Sequence, residues 1–399
     1  MNNRFLYFIV ITLLVSCQPA TQKSTLKKID SALELAKQKS ILMAESLTDQ
    51  PDRLPQTIDK DGNLVTCNSS WWVSGFFPGQ LWYMYEYSGD SVLKKWAENY
   101  TWRVQDQQYT TNNHDVGFMI FCSFGNAYRI TQDSVCLPVI KNAAKSLSTR
   151  FNPVIGCIRS WDTAEWNKQW QYAVIIDNMM NLELLEWASK KFDAPNFDYI
   201  ARTHANTTIK NHFRPDGSSY HVVSYDTITG IPHAKNTAQG FSDSSAWARG
   251  QAWGLYGYTM MFRETGDSAY LKQAETIADF IVNHPRLPED KIPYWDYDAP
   301  NIPDAKRDAS AGAITCSALL ELQKYVEPEK SKQYFDVAEK QLNSLCSDTY
   351  LSNLGENTNF ILKHGVGHMP NHSEVDVPLT YADYYFVEAM LRYKNLVED

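Results

Sequence analysis

Apolar positions in this chain recur every three to four residues along most of its length, the spacing that lines up one face of a helix. With the start and stop signals between them, they predict helices near 25–47, 76–88, 91–110, 116–130, 133–149, 177–190, 195–213, 245–264, 268–284, 308–326, 330–346 and 375–395. Three connecting turns echo one another: Ser88-Gly89-Asp90-Ser91, Thr131-Gln132-Asp133-Ser134 and Thr265-Gly266-Asp267-Ser268. In each, an aromatic-rich helix ends and the next one gains a Ser or Asp that can accept its free N–H groups. The two helices of a pair differ in kind. The first is aromatic and carries glycines (Phe76 to Tyr87, Gly117 to Tyr128, Trp247 to Tyr258), whereas the second is amphipathic, as in Tyr270-Leu271-Lys272-Gln273-Ala274-Glu275. Apolar surface all round predicts burial, and amphipathicity predicts one solvent face. A helical hairpin repeating at roughly 60 residues therefore predicts an all-α fold, an (α/α)6 barrel of six inner and six outer helices. The stretch 216–243 departs from this pattern, and Ser219 to Tyr225 reads as a strand within an excursion between helices.

The first residues stand apart. Asn2-Asn3-Arg4 is a short positive start, and Phe5 to Val15 is an apolar run too short to span a bilayer comfortably. Its ending, Leu14-Val15-Ser16-Cys17, resembles a bacterial lipoprotein signal cleaved before Cys17, which would carry the lipid; an ordinary secretory signal is the alternative. The expected organisation is a signal over 1–17, a linker over 18–24 and one barrel domain over 25–399. The expected location is the bacterial cell envelope, periplasmic or anchored at the outer membrane, with the lipid as the sole membrane contact. Cys67, Cys122, Cys136, Cys157, Cys316 and Cys346 show no C-x-x-C spacing and read as buried thiols.

Composition narrows the ligand. A net charge of -9 gives a nucleic-acid role no electrostatic support, so an anionic ligand needs a local cationic pocket. Aromatics make up 13% of the chain, many beside Gly, Asp and Asn, which suits sugar faces as well as a large core. The unusual residues gather at predicted inner-helix starts: Trp71-Trp72, His114-Asp115, Trp161-Asp162, Asp177-Asn178, Trp247 with Arg249, Arg307-Asp308, and Glu374 with Asp376. In a barrel of alternating helices these starts share one rim. Asp177 follows Val174-Ile175-Ile176 directly, and Asp115 precedes Val116-Gly117-Phe118. Each reads either as a helix cap or as a desolvated acid with a raised pKa. Two carboxylates on one rim are the composition of a glycosidase. Arg249 reads either as the structural partner of an acid or as an anion-binding group beside Trp247. His364, His368 and His372 with Glu374 and Asp376 lie among Gly365, Gly367 and Pro370, so helical ligand spacing does not apply and no metal is expected. The chain has no G-x-S-x-G, P-loop or G-x-G-x-x-G.

Eight pieces spread in order along the chain resemble the unsaturated glucuronyl hydrolases, glycoside hydrolase family 88. They are Trp72-Val-Ser-Gly75-Phe-Phe-Pro78-Gly79, His114-Asp115-Val-Gly-Phe118, Ile176-Asp177-Asn178, Tyr220-His221-Val-Val, Gln239-Gly-Phe241, Ala246-Trp-Ala-Arg-Gly-Gln-Ala-Trp-Gly254, Pro293-Tyr-Trp-Asp296 and Glu374-Val-Asp-Val-Pro378. The resemblance implies removal of a 4,5-unsaturated glucuronic acid from the non-reducing end of lyase-generated oligosaccharides, of glycosaminoglycan type. The implied chemistry is hydration of the C4=C5 vinyl ether. Asp177 matches the acid/base, Asp115 the second carboxylate, and His221, Gln239, Trp247 and Arg249 the substrate contacts, with Trp72 and Trp161 as sugar-stacking walls. No metal or organic cofactor is implied. Phe241 stands where the family typically has Tyr. The alternatives are an unsaturated rhamnogalacturonyl hydrolase acting on pectin fragments and a non-catalytic sugar-binding lipoprotein.

Overall fold

The computed structural model describes residues 20–398, so the expected signal and Cys17 lie outside the described residues. The helices are α1 (Ala20–Ser46), α2 (Phe76–Ser88), α3 (Ser91–Trp102), α4 (Asn126–Thr131), α5 (Cys136–Ser148), α6 (Leu182–Phe192), α7 (Pro195–His212), α8 (Ala248–Thr265), α9 (Ser268–Val282), α10 (Ala309–Leu322), α11 (Pro328–Leu345) and α12 (Thr380–Glu398). A π-helical stretch, Gly117–Gly125, runs into α4, and a 3-10 stretch, Ile176–Asn181, runs into α6.

The inner ring is α2, the π stretch with α4, the 3-10 stretch with α6, α8, α10 and α12. Each packs on the next, and α12 returns against α2 to close the barrel. Helices α3, α5, α7, α9 and α11 pack outside, with α1 laid over α2, α11 and α12. The three echoing turns act as predicted. Gly89, Gln132 and Gly266 adopt left-handed backbone at helix ends. Asp90, Asp133 and Asp267 then accept the N–H of Val92, Val135 and Ala269 at 2.9, 3.0 and 2.9 Å.

Closure demands near contact between backbones. A Cβ on Gly75 would lie 2.1 Å from the carbonyl oxygen of Phe118, and one on Gly79 2.4 Å from that of Cys122. The two glycines of Trp72-Val-Ser-Gly75-Phe-Phe-Pro78-Gly79 thus let α2 lie directly on the π stretch.

Short strands decorate the barrel: β1 (Leu54–Ile58), β2 (Leu64–Cys67), β3 (Phe151–Asn152), β4 (Cys157–Ile158), β5 (Ala173–Ile175), β6 (Val222–Tyr225), β7 (Pro232–Asn236), β8 (Gly365–His368) and β9 (Ser373–Val377). All pairings are antiparallel, with β5, β6 and β7 forming one three-stranded sheet. The predicted strand at Ser219 to Tyr225 is therefore real but begins at Val222, and it gains partners on both sides.

Several predicted boundaries change. The last helix starts at Thr380, not 375, because Glu374 and Asp376 lie on β9 of a hairpin with left-handed backbone at both residues. The predicted 91–110 helix breaks after Trp102 into a 3-10 turn, Gln105–Tyr109. Helix α1 begins at Ala20, within the segment expected to be a linker. All six cysteines among the described residues are free thiols; Cys67, Cys136, Cys157 and Cys316 are buried as expected, whereas Cys122 and Cys346 are half-buried.

Gly75→Ala is expected to destabilise the protein by about 3 kcal/mol, since the methyl group meets backbone rather than a side chain that could move. Urea denaturation with an unchanged midpoint would show that the two helices can part at no cost.

Candidate active site

The β5–β6 pairing builds the centre of the site. Ile175 lies opposite Val222, and the Ile176 N–H donates to the His221 carbonyl at 3.1 Å. The next residue on one side is Asp177, so strand register alone brings Asp177 beside the His221 ring, whose Nε2 lies 3.7 Å from Asp177 Oδ2. The cap reading fails for Asp177. The 3-10 stretch is preceded by Ile175 with no side-chain cap, and Asp177 Oδ2 is buried with no hydrogen-bond partner among the described residues. An ionised carboxylate in that position would be costly without a neighbouring positive charge, which Arg249 supplies. Burial accordingly pushes the Asp177 carboxyl up to about 7, with Arg249 pulling the other way.

Asp115 stands at the head of the π stretch, and its Oδ1 lies 3.4 Å from Nε2 of the buried His114. Burial, and then the negative charge of Asp177, push Asp115 up to about 8. The charge of one acid therefore bears on the other, and the two titrate as a pair. The Asn181 side chain ties their two stretches together by accepting the Phe118 N–H at 2.9 Å.

Arg249 is placed by the first turn of α8, whose N-cap residue is Trp247. Its guanidinium lies over the Trp247 ring at 4.5 Å and over Tyr381 at 5.3 Å. It donates to the carbonyls of Val366 and, at 2.7 Å, Gly367, and to Gln239 Oε1 at 2.6 Å; Asp308 Oδ2 lies 3.5 Å away. These contacts carry the structural reading of Arg249, whose terminal nitrogens tie β8, Gln239 and the head of α10 together. Gln239 completes the frame, because its backbone N–H and that of Ala238 donate to His221 Nδ1 at 3.1 and 3.0 Å.

Among the predicted aromatic walls, Trp161 is bridged to Asn113, and its ring stands 5.7 Å from Trp170 and 6.1 Å, edge-on, from His221. Trp72 leans on Tyr381 at 4.9 Å and Phe118 at 5.7 Å. Phe241, half exposed, meets Trp295 edge-on at 6.5 Å. The histidine-rich loop is the β8–β9 hairpin. In it His364 pairs with Asp376 at 2.6 Å, and Lys306 holds the other oxygen of Asp376 at 2.6 Å. The sequence places His114 and Asn178 on the rim and Trp253 within a quoted motif without a role, and Tyr381 carries no signal in it; only the fold turns these side chains toward the site.

A cavity of about 660 Å³ opens at the far end of the barrel, lined by Arg129, Glu183, Arg263, Glu388 and Arg392 among others. Its charges answer one another, Arg263 with Glu183 and Glu321, and Arg392 with Glu321 and Glu388. The acid pair lies at the opposite rim.

No protein-family model matches the chain. An unsaturated glucuronyl hydrolase of Formosa agariphila is 48% identical over 328 residues, 82% of this chain and 80% of that protein. The chain belongs to the unsaturated glucuronyl hydrolases, glycoside hydrolase family 88. An unsaturated chondroitin disaccharide hydrolase of Streptococcus pyogenes is 31% identical over 345 residues, 85% of each chain. A crystal structure of an unsaturated glucuronyl hydrolase specific for heparin superposes with a TM-score of 0.88 at 47% identity, covering 93% of this chain and 99% of that one. The family fold is the (α/α)6 barrel, in agreement with the ring described above.

The raised acids make a stability prediction. Their native pKa values, about 7 and 8, lie above the unfolded value, so the native state holds protons that the unfolded chain has lost. That contribution is complete below the unfolded pKa of about 4 and is lost as pH rises through the native values. Asp115→Asn and Asp177→Asn should therefore lose less Tm than the parent between pH 5 and pH 9 in calorimetry. Parallel Tm profiles would place both acids in water.

Proposed function

We propose that this protein removes the 4,5-unsaturated glucuronic acid from the non-reducing end of glycosaminoglycan-type oligosaccharides released by polysaccharide lyases. The observation that carries this reading is the buried acid pair Asp177 and Asp115, held together at the rim of a barrel shared with hydrolases of this specificity. In the proposed reaction a protonated Asp177 gives its proton to C4 of the vinyl ether. The positive charge that develops at C5 and the ring oxygen is met by the anionic form of the pair. Water adds at C5 and returns its proton to the pair. The hemiketal formed opens to a 5-keto sugar, and the C1 hemiacetal left behind releases the shortened oligosaccharide. Protons balance over the cycle, and His221, Gln239, Trp247, Arg249, Trp72 and Trp161 form the wall against which the sugar is held. The likeness to a heparin-specific enzyme at 47% identity supports heparin-derived disaccharides as the first substrates to offer.

The Leu14-Val15-Ser16-Cys17 ending supports a lipid on Cys17 and a place in the bacterial envelope, with the barrel held at the membrane by that lipid alone.

Incubation with unsaturated disaccharides should bleach the ultraviolet absorbance of the ene-carboxylate, and Asp177→Asn should slow the loss by about 10²–10⁴-fold with the fold intact. Absorbance that persists across heparin, chondroitin and hyaluronan disaccharides would overturn the proposed activity. Full-length protein expressed in a bacterial host should partition with detergent, and Cys17→Ser should move it to the aqueous phase. A parent protein found only in the aqueous phase would remove the anchor.

A further inference from the structure

His114 and His221 are buried on either side of the acid pair, and their neighbours fix which nitrogen of each ring carries the proton. His221 Nδ1 accepts two backbone N–H groups, from Ala238 at 3.0 Å and Gln239 at 3.1 Å, so its own proton sits on Nε2, the nitrogen that faces Asp177 at 3.7 Å. A donor in that position favours the carboxylate form of Asp177.

His114 is arranged the other way. Asn178 donates its amide N–H to the Ile158 carbonyl at 2.8 Å, which fixes the amide and leaves Oδ1 as the atom available to the His114 ring. That Oδ1 and His114 Nδ1 are both buried without a hydrogen-bond partner among the described residues, and the Asn178 side chain is the neighbour that acts on the His114 ring as an acceptor. An acceptor there places the His114 proton on Nδ1. Burial keeps the ring neutral, pushing it down to about 3 with Arg150 adding to the effect, so Nε2 presents a bare lone pair 3.4 Å from Asp115 Oδ1. A lone pair repels a carboxylate and accepts a hydrogen bond from a carboxylic acid.

We propose that the resting enzyme stores the single proton of the pair on Asp115, with His114 and Asn178 as the positioning residues that hold it there, while the charge of Arg249 and the facing His221 N–H favour the anion at Asp177. The two histidines, in opposite tautomers, polarise an otherwise similar pair. Asp177 is then charged for each cycle by a proton that leaves Asp115 and binds an Asp177 oxygen, converting Asp115 to the carboxylate. The proton released from the added water restores the starting state. The other titratable groups around the four side chains are Arg150 beside Asp115 and His114, His204 beside His114, and Arg249, His368 and His212 beside His221, with Arg249 also acting on Asp177. The inference rests on the pair being the acid/base machinery, but its location of the proton is read in the free enzyme without any turnover.

The test is nitrogen NMR of histidine-labelled free protein, with the two signal sets assigned by their loss in His114→Gln and His221→Gln. The expected result is an Nδ1–H tautomer for His114 and an Nε2–H tautomer for His221. An Nε2–H tautomer at His114 would overturn the proposal. Where a histidine variant does not fold, infrared spectra near pH 7.5 decide. The neutral-carboxyl C=O band should lose intensity in Asp115→Asn and keep it in Asp177→Asn, and the reverse pattern puts the proton on Asp177. In kinetics, Asn178→Ala frees His114 to offer Nε2–H to an ionised Asp115. The alkaline limb of kcat/KM should then move to lower pH, whereas a uniform loss of kcat with the limb unmoved would reduce Asn178 to a structural role.

Discussion

Desolvation of two carboxyl groups is the constraint around which this barrel is arranged. An acid that gives a proton to carbon near neutral pH must hold it well above the ordinary carboxylate range, and burial is the largest cause of the shift at both Asp177 and Asp115. Burial alone would leave both acids neutral and inert as a base. The site supplies the balance with Arg249, which draws Asp177 toward its anion, and with the mutual repulsion that stops both from ionising together. The apolar and aromatic floor beneath them, Phe118, Trp253 and Tyr381, is part of the same device because it excludes the water that would otherwise level the two groups.

A closed ring of helices is suited to holding such a pair. Each acid lies at the head of a different inner element, and neither head is an ordinary α-helical start: Asp115 leads into a π stretch and Asp177 sits in a 3-10 stretch. Both geometries change where the first side chains point relative to a regular helix. The small sheet β5–β6–β7 then supplies what helices alone cannot, a fixed register that puts His221 against Asp177. Arg249 ties this sheet region to the β8–β9 hairpin and to α10, so the rim behaves as one frame instead of six separate helix ends.

The hairpin is the least regular part of that frame. His364, His372, Glu374 and Asp376 all adopt left-handed backbone, and such strain persists only where surrounding contacts enforce it. Those contacts are visible: Gln56 holds Glu374, and His364 with Lys306 holds Asp376 well below the usual carboxylate range. A histidine-rich run thus serves as a braced edge of the site.

The alternation of aromatic and amphipathic helices was legible in the residues because burial on all sides and burial on one side demand different patterns, and it determined the barrel. The caps at Asp90 and Asp267 were equally legible, since they satisfy N–H groups within two residues. The likeness of eight short motifs also pointed to Asp177, Asp115, His221, Gln239, Trp247 and Arg249 before any contact was known. Local sequence misjudged what depends on distant partners. It allowed Asp177 to be a cap, when the β5–β6 register carries it to His221, and it extended α12 across Glu374 and Asp376, which pairing with β8 draws into a strand. It left Arg249 undecided between structure and ligand, and the carbonyls that engage it lie more than a hundred residues downstream. Periodicity is written along the chain, whereas the proton a buried acid holds depends on what the folded chain brings against it.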